Sequence, residues 1–310
     1  MIRAPLTLLL LTLNAAFWGT TIVLLGVVKF AIHITAPRSR ARTRVILMLA
    51  WLATRWVAGN DRIFDLMLPT KWEIDGIGDD VTPEGRYLIV ANHLSWVDIF
   101  ALFRAFQGRA AFIRFFLKRQ LFWTPIVGQA CWALEFPFMR RYTPEYLEKH
   151  PEKRGTDLTT TRKACQRYRN FPVAVLNFLE GTRFSKSKRD AQQSPYRHLL
   201  RPRIGGIAFV LAALGDQLDA FYDVTLAYPP DNDVTMGQFV SGRIPKIIIH
   251  ARRVNPPPHV FDPAVTRPSP EREALKVWMD GMWREKDAVM DGLLGTGSRG
   301  LGVARSRGVR

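Results

Sequence analysis

The sequence predicts an α/β fold, a mixed or mostly parallel sheet flanked by helices, behind an N-terminal membrane-embedded helical segment. Three observations carry that reading. From residue 87 onward, short apolar runs bounded by glycine or proline alternate with longer segments of helical periodicity. Two polar stretches with reactive side chains each follow one of those runs directly. Ala4–Val28 has 25 residues without a charge, enough to cross a bilayer as a helix.

That N-terminal run ends in no small-residue cleavage signature, so it reads as an anchor and not a removed signal. A second apolar stretch, Val45–Gly59, is interrupted by Arg55 and reads as a helix half embedded or lying in the interface. Between them Arg38, Arg40, Arg42 and Arg44 cluster, and no acidic residue precedes Asp61. The positive-inside rule places that cluster, and the body after it, in the cytoplasm. Residues 1–60 are thus expected to anchor, 61–290 to form the α/β domain, and 291–310 to be a disordered basic tail able to touch lipid headgroups.

In the body, Tyr87–Val90 reads as a buried strand, Val97–Phe106 as a helix and Ala111–Phe115 as a strand. Cys131–Met139, "CWALEFPFM", is expected to be extended, and Thr156–Tyr168 helical up to the break at Pro172. Val173–Phe178, "VAVLNF", is the clearest central strand. Ile204–Leu214 follows as a buried helix, then strands at Tyr222–Tyr228 and "PKIIIHAR". Ser269-Pro270 has the character of a helix start and opens a last helix to about Met290.

Forty-four Lys and Arg against 27 Asp and Glu give a net charge of +17, which calls for an anionic partner without choosing among membrane, nucleic acid and phosphorylated metabolite. Cys131 and Cys165 form no CxxC and read as buried free thiols, which argues against a disulfide framework. The six histidines show no zinc spacing, so no metal is expected. No aromatic platform interleaves the basic run Lys186–Arg189, which weakens a nucleic-acid reading.

The stretch "ANHLSWVDI" puts His93 and Asp98 five residues apart at a strand-to-helix turn. A carboxylate bonded to one imidazole nitrogen fixes the tautomer and leaves the other nitrogen free to take a proton from a hydroxyl. The same spacing also suits a capped junction, with Ser95 satisfying backbone groups. "NFLEGTRFSKSKR" follows the central strand. Its Gly181 exposes backbone amides, Thr182 offers a hydroxyl, and Arg183 offers a fork for phosphate oxygens. Glu180 is expected to orient Arg183 or to meet a substrate hydroxyl. Both stretches end strands, where α/β folds place their sites.

With those residues in view, the chain resembles the glycerolipid acyltransferases typified by 1-acyl-sn-glycerol-3-phosphate acyltransferase. "NHLSWVD" is similar to that family's N-H-x4-D block and "FLEGTRFS" to its F-P-E-G-T-R-S block. Leu179 stands in place of the common proline, and Phe184 separates Arg183 from Ser185. "KRQLFWTPIVG" resembles a further family pattern at Lys118, Leu121, Pro125 and Gly128. Together with "LLRPRIGG" and "YDVTLAY", these features look most like the lysophosphatidic and lysocardiolipin acyltransferase branch. The resemblance implies His93 as general base, Asp98 as its partner, and Glu180, Gly181, Thr182 and Arg183 as the acceptor-phosphate site. It adds Lys118, Arg140 and Arg141 as candidates for acceptor or donor binding. It also implies no cofactor, with acyl-CoA or acyl-carrier protein as acyl donor and a membrane lysophospholipid as acceptor, at a bacterial inner membrane. The competing expectation is a non-catalytic, membrane-anchored protein binding anionic lipid or RNA.

Overall fold

The structure, a computed structural model, describes residues 2–36, 39–139, 144–150, 156–230 and 232–295. Arg38, Arg140, Arg141 and residues 296–310 of the expected tail lie outside the described residues.

Helix α1 (Arg3–Thr35) has 33 residues. At 1.5 Å per residue it is about 50 Å long. Among the described residues it is the one helix long and apolar enough to cross a membrane. Helix α2 (Arg40–Met67) starts at Ser39, whose hydroxyl accepts from the Arg42 amide. Its buried residues Ile46, Leu49, Ala53, Val57, Asn60 and Phe64 recur every three or four positions, so one face packs inward. Arg55 does not break it, because the guanidinium lies on the exposed face over the Trp51 ring. The helix runs past residue 60 to Met67, so the expected boundary between anchor and body falls inside one element.

The chain then alternates. In order come β1 (Lys71–Asp75), β2 (Arg86–Ala91), α3 (Val97–Phe106), β3 (Ile113–Phe115), β4 (Leu117–Lys118), a 3-10 turn (Arg119–Trp123) and α4 (Val127–Ala133). Next are β5 (Phe138–Met139), α5 (Pro144–Lys149), α6 (Thr156–Tyr168), β6 (Val173–Phe178), α7 (Lys186–Ala191) and α8 (Ile204–Leu214). β7 (Ala220–Ala227), α9 (Met236–Val240), β8 (Lys246–Val254) and α10 (Pro270–Leu293) complete it. The main sheet has the order β1-β8-β7-β2-β6-β3. β7, β2, β6 and β3 run parallel, β8 lies antiparallel to β7, and β1 runs parallel to β8. Strand β1 falls in what the sequence reads as a polar connector, because it is a largely solvated edge strand with little apolar signal. Helix α10 opens as expected at Ser269, whose hydroxyl accepts from the Arg272 amide, and continues beyond Met290 to Leu293.

One expectation is corrected. Cys131–Met139 is not extended: residues up to Ala133 belong to α4, and only Phe138–Met139 forms a strand. Residues with positive φ bracket the helix, Ile126 at 64° and Glu135 at 66°, and neither reversal is legible in a mostly apolar run.

Helix α4 lies along the middle of α1. A Cβ at Gly19 would sit 2.5 Å from Ile126 Cγ2, and one at Gly26 would sit 2.5 Å from Ala133 Cβ. Just beyond, the half-sequestered Glu135 carboxylate pairs with Lys29 of α1 at 2.8 Å, Arg42 of α2 at 3.3 Å and Arg167 of α6 at 3.2 Å. Burial pushes that carboxyl up, but Lys29, Arg167 and Arg42 together hold it below its ordinary value. The N-terminal helices are therefore fastened to the body by packing and by charge.

Candidate active site

Strands β2 and β6 are neighbours in register, with Ala91 opposite Phe178, so the loops that follow them leave the same sheet edge side by side. Two hydrogen bonds to the His93 backbone fuse those loops. The His93 amide donates to Glu180 Oε1 at 3.0 Å, and the Phe184 amide donates to the His93 carbonyl at 2.7 Å. On the other flank, Asn92 clasps β7: its Nδ2 donates to the Leu226 carbonyl and its Oδ1 accepts from the Leu226 amide.

Asp98 sits in the first turn of α3 with no exposed surface. Its Oδ2 accepts from the Leu94 and Ser95 amides at 2.6 and 2.9 Å and lies 2.8 Å from His93 Nδ1. Its Oδ1 accepts from the Tyr228 hydroxyl at 2.5 Å. Burial and the facing Asp98 carboxylate both drive the Tyr228 phenol well above its ordinary pKa, so it stays a donor. Three donors besides the imidazole, the Leu94 and Ser95 amides and the Tyr228 hydroxyl, converge on this carboxylate, which therefore faces the ring as an acceptor. The proton between His93 and Asp98 therefore belongs on Nδ1, and the Nε2 lone pair is left over. The imidazole stacks on Phe178 with centroids 4.0 Å apart and planes 17° apart, which fixes its tilt. Nε2 makes no hydrogen bond among the described residues, and the side chain keeps 16% of its surface exposed. Ser95 Oγ accepts from the Val97 amide at 3.3 Å, the turn role expected of it.

The second loop behaves differently from expectation at Glu180. That residue has no exposed surface and does not orient Arg183. Its carboxylate accepts from the His93 amide and, at 3.1 Å, from the Leu200 amide. Leu200 in turn accepts from Trp283 Nε1 of α10 through its carbonyl. Glu180 thus ties three segments together beneath the cleft. Burial pushes its carboxyl up to about 8, against the two amides that favour the anion.

Gly181 turns the loop at φ 66°, where a side chain would be strained and would meet Arg203 Cδ at 3.1 Å. The Thr182 hydroxyl lies 3.0 Å from Lys188 Nζ, which also donates to the Arg183 carbonyl at 2.8 Å. The Arg183 guanidinium lies over the Trp96 ring at 5.2 Å, so it reaches back across the first loop. Neither Arg183 nor Arg203 has an acidic partner among the described residues. The loop and the start of α8 therefore bring two guanidiniums, without an acidic partner among the described residues, to either side of a glycine turn, a setting suited to an anion. Lys118 is exposed on β4 and its side chain makes no polar contact among the described residues, so the structure does not join it to His93 or Arg183. No group of three or more His, Cys, Asp or Glu suited to a metal occurs among the described residues. Burial pushes the Cys131 and Cys165 thiols up to about 12, so neither is a ready nucleophile.

Sequence reasoning missed Tyr228, Asn92, Phe178 and Arg203. Arg203 carried a signal, a second arginine beside Gly205-Gly206 at a helix start. Tyr228 closes the "YDVTLAY" stretch, but nothing in the sequence couples it to a partner 130 residues away.

Residues 73–228 match the sequence profile described as acyltransferase. Lysocardiolipin acyltransferase 1 of Mus musculus is 28% identical over 264 residues, covering 76% of this chain and 62% of that protein. The 1-acyl-sn-glycerol-3-phosphate acyltransferase epsilon of Mus musculus is 26% identical over 238 residues, covering 69% and 59%. The chain spans about three fifths of the length of the curated relatives it matches. The crystal structure of the 1-acyl-sn-glycerophosphate (LPA) acyltransferase PlsC from Thermotoga maritima aligns with a TM-score of 0.49 and 18% identity over 94% of this chain and 98% of that one.

Proposed function

The chain belongs to the acyltransferase family, and from that premise we propose that it moves a fatty acyl group from acyl-CoA or acyl-carrier protein to the free sn-2 hydroxyl of 1-acyl-sn-glycerol 3-phosphate, forming phosphatidic acid. The observation that carries the chemistry is the His93 ring: Nδ1 held by a buried carboxylate, the plane held by Phe178, and Nε2 without a hydrogen-bond partner among the described residues. In the proposed reaction Nε2 takes the proton of the acceptor hydroxyl as its oxygen attacks the thioester carbonyl. The tetrahedral intermediate collapses by breaking the carbon–sulfur bond, and the departing thiolate takes the proton back from the imidazolium. No acyl-enzyme is required, because a thiolate is already a good leaving group.

The acceptor phosphate is assigned to Gly181, Thr182 and Arg183, with Arg203 beside them. Holding the phosphate away from the reacting hydroxyl contributes orientation to the attack. Glu180 holds the loop from below and does not contact the phosphate in this reading. Lys118 and, outside the described residues, Arg140 and Arg141 stay assigned to donor or distal acceptor binding. Helix α1 embeds in the membrane, with Arg40, Arg42 and Arg44 on the cytoplasmic side together with the catalytic rim. Lysophosphatidylglycerol or lysocardiolipin would suit the same phosphate site, and the lysocardiolipin relatives favour keeping them as the second reading.

The test is a panel of lysolipids offered with isotopically labelled acyl-CoA and acyl-carrier protein, read by product mass. Labelled phosphatidic acid as the main product supports the first reading, and labelled diacyl phosphatidylglycerol or cardiolipin supports the second. Absence of thioester consumption with every acceptor refutes both.

A further inference from the structure

Outside α1 and α2, a cluster of bulky apolar side chains stands exposed on one short segment, the 3-10 turn and α4. Trp123 is 75% exposed and Val127 53%, with Ile126 and Trp132 both at 38%. The segment is held firmly, since Ile126 and Ala133 seat against Gly19 and Gly26 of α1 and the Trp132 ring lies 5.9 Å from Phe30. Alongside, α1 itself exposes Phe17, Leu24, Val27 and Phe30. The two apolar faces are therefore continuous, and whatever solvates α1 meets α4 at the same depth.

Topology places this face relative to the chemistry. Strand β3 pairs Phe115 with Leu176, two residues before the Phe178 that carries His93, so the chain leaves the sheet toward Leu117 at the catalytic edge. Lys118 and Arg119, both exposed, open the segment with positive charge suited to anionic headgroups.

We propose that Arg119–Ala133 is a further membrane-inserting element, which dips Trp123, Ile126, Val127 and Trp132 into a lipid leaflet beside α1 and seats the catalytic rim on that leaflet. Exposed indole rings beside basic residues suit the interfacial zone, where an apolar body and a polar tip are both satisfied. A bilayer also covers a convex, continuous apolar face without demanding a complementary pocket. The proposal rests on the membrane reading of α1 given above.

The experiment uses the full chain with Cys131→Ala and Cys165→Ala, shown to keep acyl transfer. It places one environment-sensitive NBD label at a time through Phe17→Cys, Trp123→Cys, Val127→Cys or Lys276→Cys. Each protein is added to vesicles of phosphatidylcholine and phosphatidylglycerol, with and without doxyl-labelled chains. Labels at 17, 123 and 127 are expected to shift to the blue and to be quenched by doxyl chains, while the label at 276 is unchanged. A response at 17 with none at 123 and 127 overturns the proposal and leaves the membrane reading standing. No response at any position overturns both. A blue shift at 123 and 127 that needs no lipid and vanishes on dilution assigns the face to a second copy of the chain, which also overturns the proposal. As a functional arm, Trp123→Glu with Val127→Glu should lower transfer to a vesicle-borne acceptor by about tenfold, while a short-chain soluble acceptor is turned over as before.

Discussion

Replacing Asp98 by asparagine isolates the charge behind His93. The carboxylate accepts from the Leu94 and Ser95 amides, the His93 ring and the Tyr228 hydroxyl. Alanine would leave all four donors unpaired. At about 1–3 kcal/mol for each buried, unsatisfied group, that loss is of the order of the protein's whole stability. Asparagine can keep the arrangement: its carbonyl takes the Oδ2 position, and its amide faces the Tyr228 oxygen, which switches to accepting. What disappears is the negative charge 2.8 Å from Nδ1. When Nε2 takes a proton, a full positive charge develops on the ring. With charge centres about 4 Å apart and an effective dielectric of about 20, the lost attraction is about 4 kcal/mol, or roughly a thousandfold in rate. Asp98→Asn should therefore lower kcat by about 10²- to 10⁴-fold while KM for both substrates changes little. The assay is steady-state acyl transfer on vesicle-borne acceptor, paired with thermal melting. Wild-type kcat in a folded Asp98→Asn protein would refute the role given to this carboxylate, as would a loss of kcat that only mirrors a loss of folded protein.

Three further outcomes follow from the second loop. Arg203→Ala and Arg183→Ala should each raise KM for phosphate-bearing acceptors, and unchanged KM values in both would remove the phosphate site from this loop. Gly181→Ala forces a side chain into φ 66° and 3.1 Å from Arg203 Cδ. It should cost about 1–2 kcal/mol, visible as a Tm lowered by a few degrees. Glu180, with a folded pKa near 8 raised from 4.5, retains a proton that the unfolded chain has lost. Its contribution to stability is full below the unfolded value and is lost as pH rises through the folded one. Melting of the wild type should thus fall relative to Glu180→Gln between about pH 5 and pH 8, and parallel curves would contradict the burial argument.

The sequence discloses the site where chemistry is local and conceals it where the partner is distant. His93 and Asp98 are five residues apart, and the loop Glu180–Arg183 directly follows an unmistakable strand, so both could be named. Glu180's partners are the amides at positions 93 and 200, and Asp98's fourth partner comes from just beyond β7 through Tyr228. No spacing rule reaches those pairs. The same holds for the fold. Largely buried strands such as Val173–Phe178 announce themselves by apolar content. The edge strand Lys71–Asp75 does not, because its pairing to β8 rests on backbone bonds that leave no compositional trace. Cys131–Met139 misleads because apolar residues facing α1 and apolar residues inside a sheet look alike.

The glycines at positions 19 and 26 have a consequence for how this molecule could be taken apart. An anchor joined by a flexible tether is interchangeable: it can be trimmed or swapped, and the cargo keeps its shape. Here the two missing side chains are sockets for Ile126 and Ala133, and Lys29, a few residues further on, neutralises Glu135. Excising residues 3–35 to gain solubility would strip two packed contacts and one of three cations from the body. A foreign helix without small residues seven apart would stand off from α4. Helix α1 and the body are packed as one unit, to be recombined together or left alone.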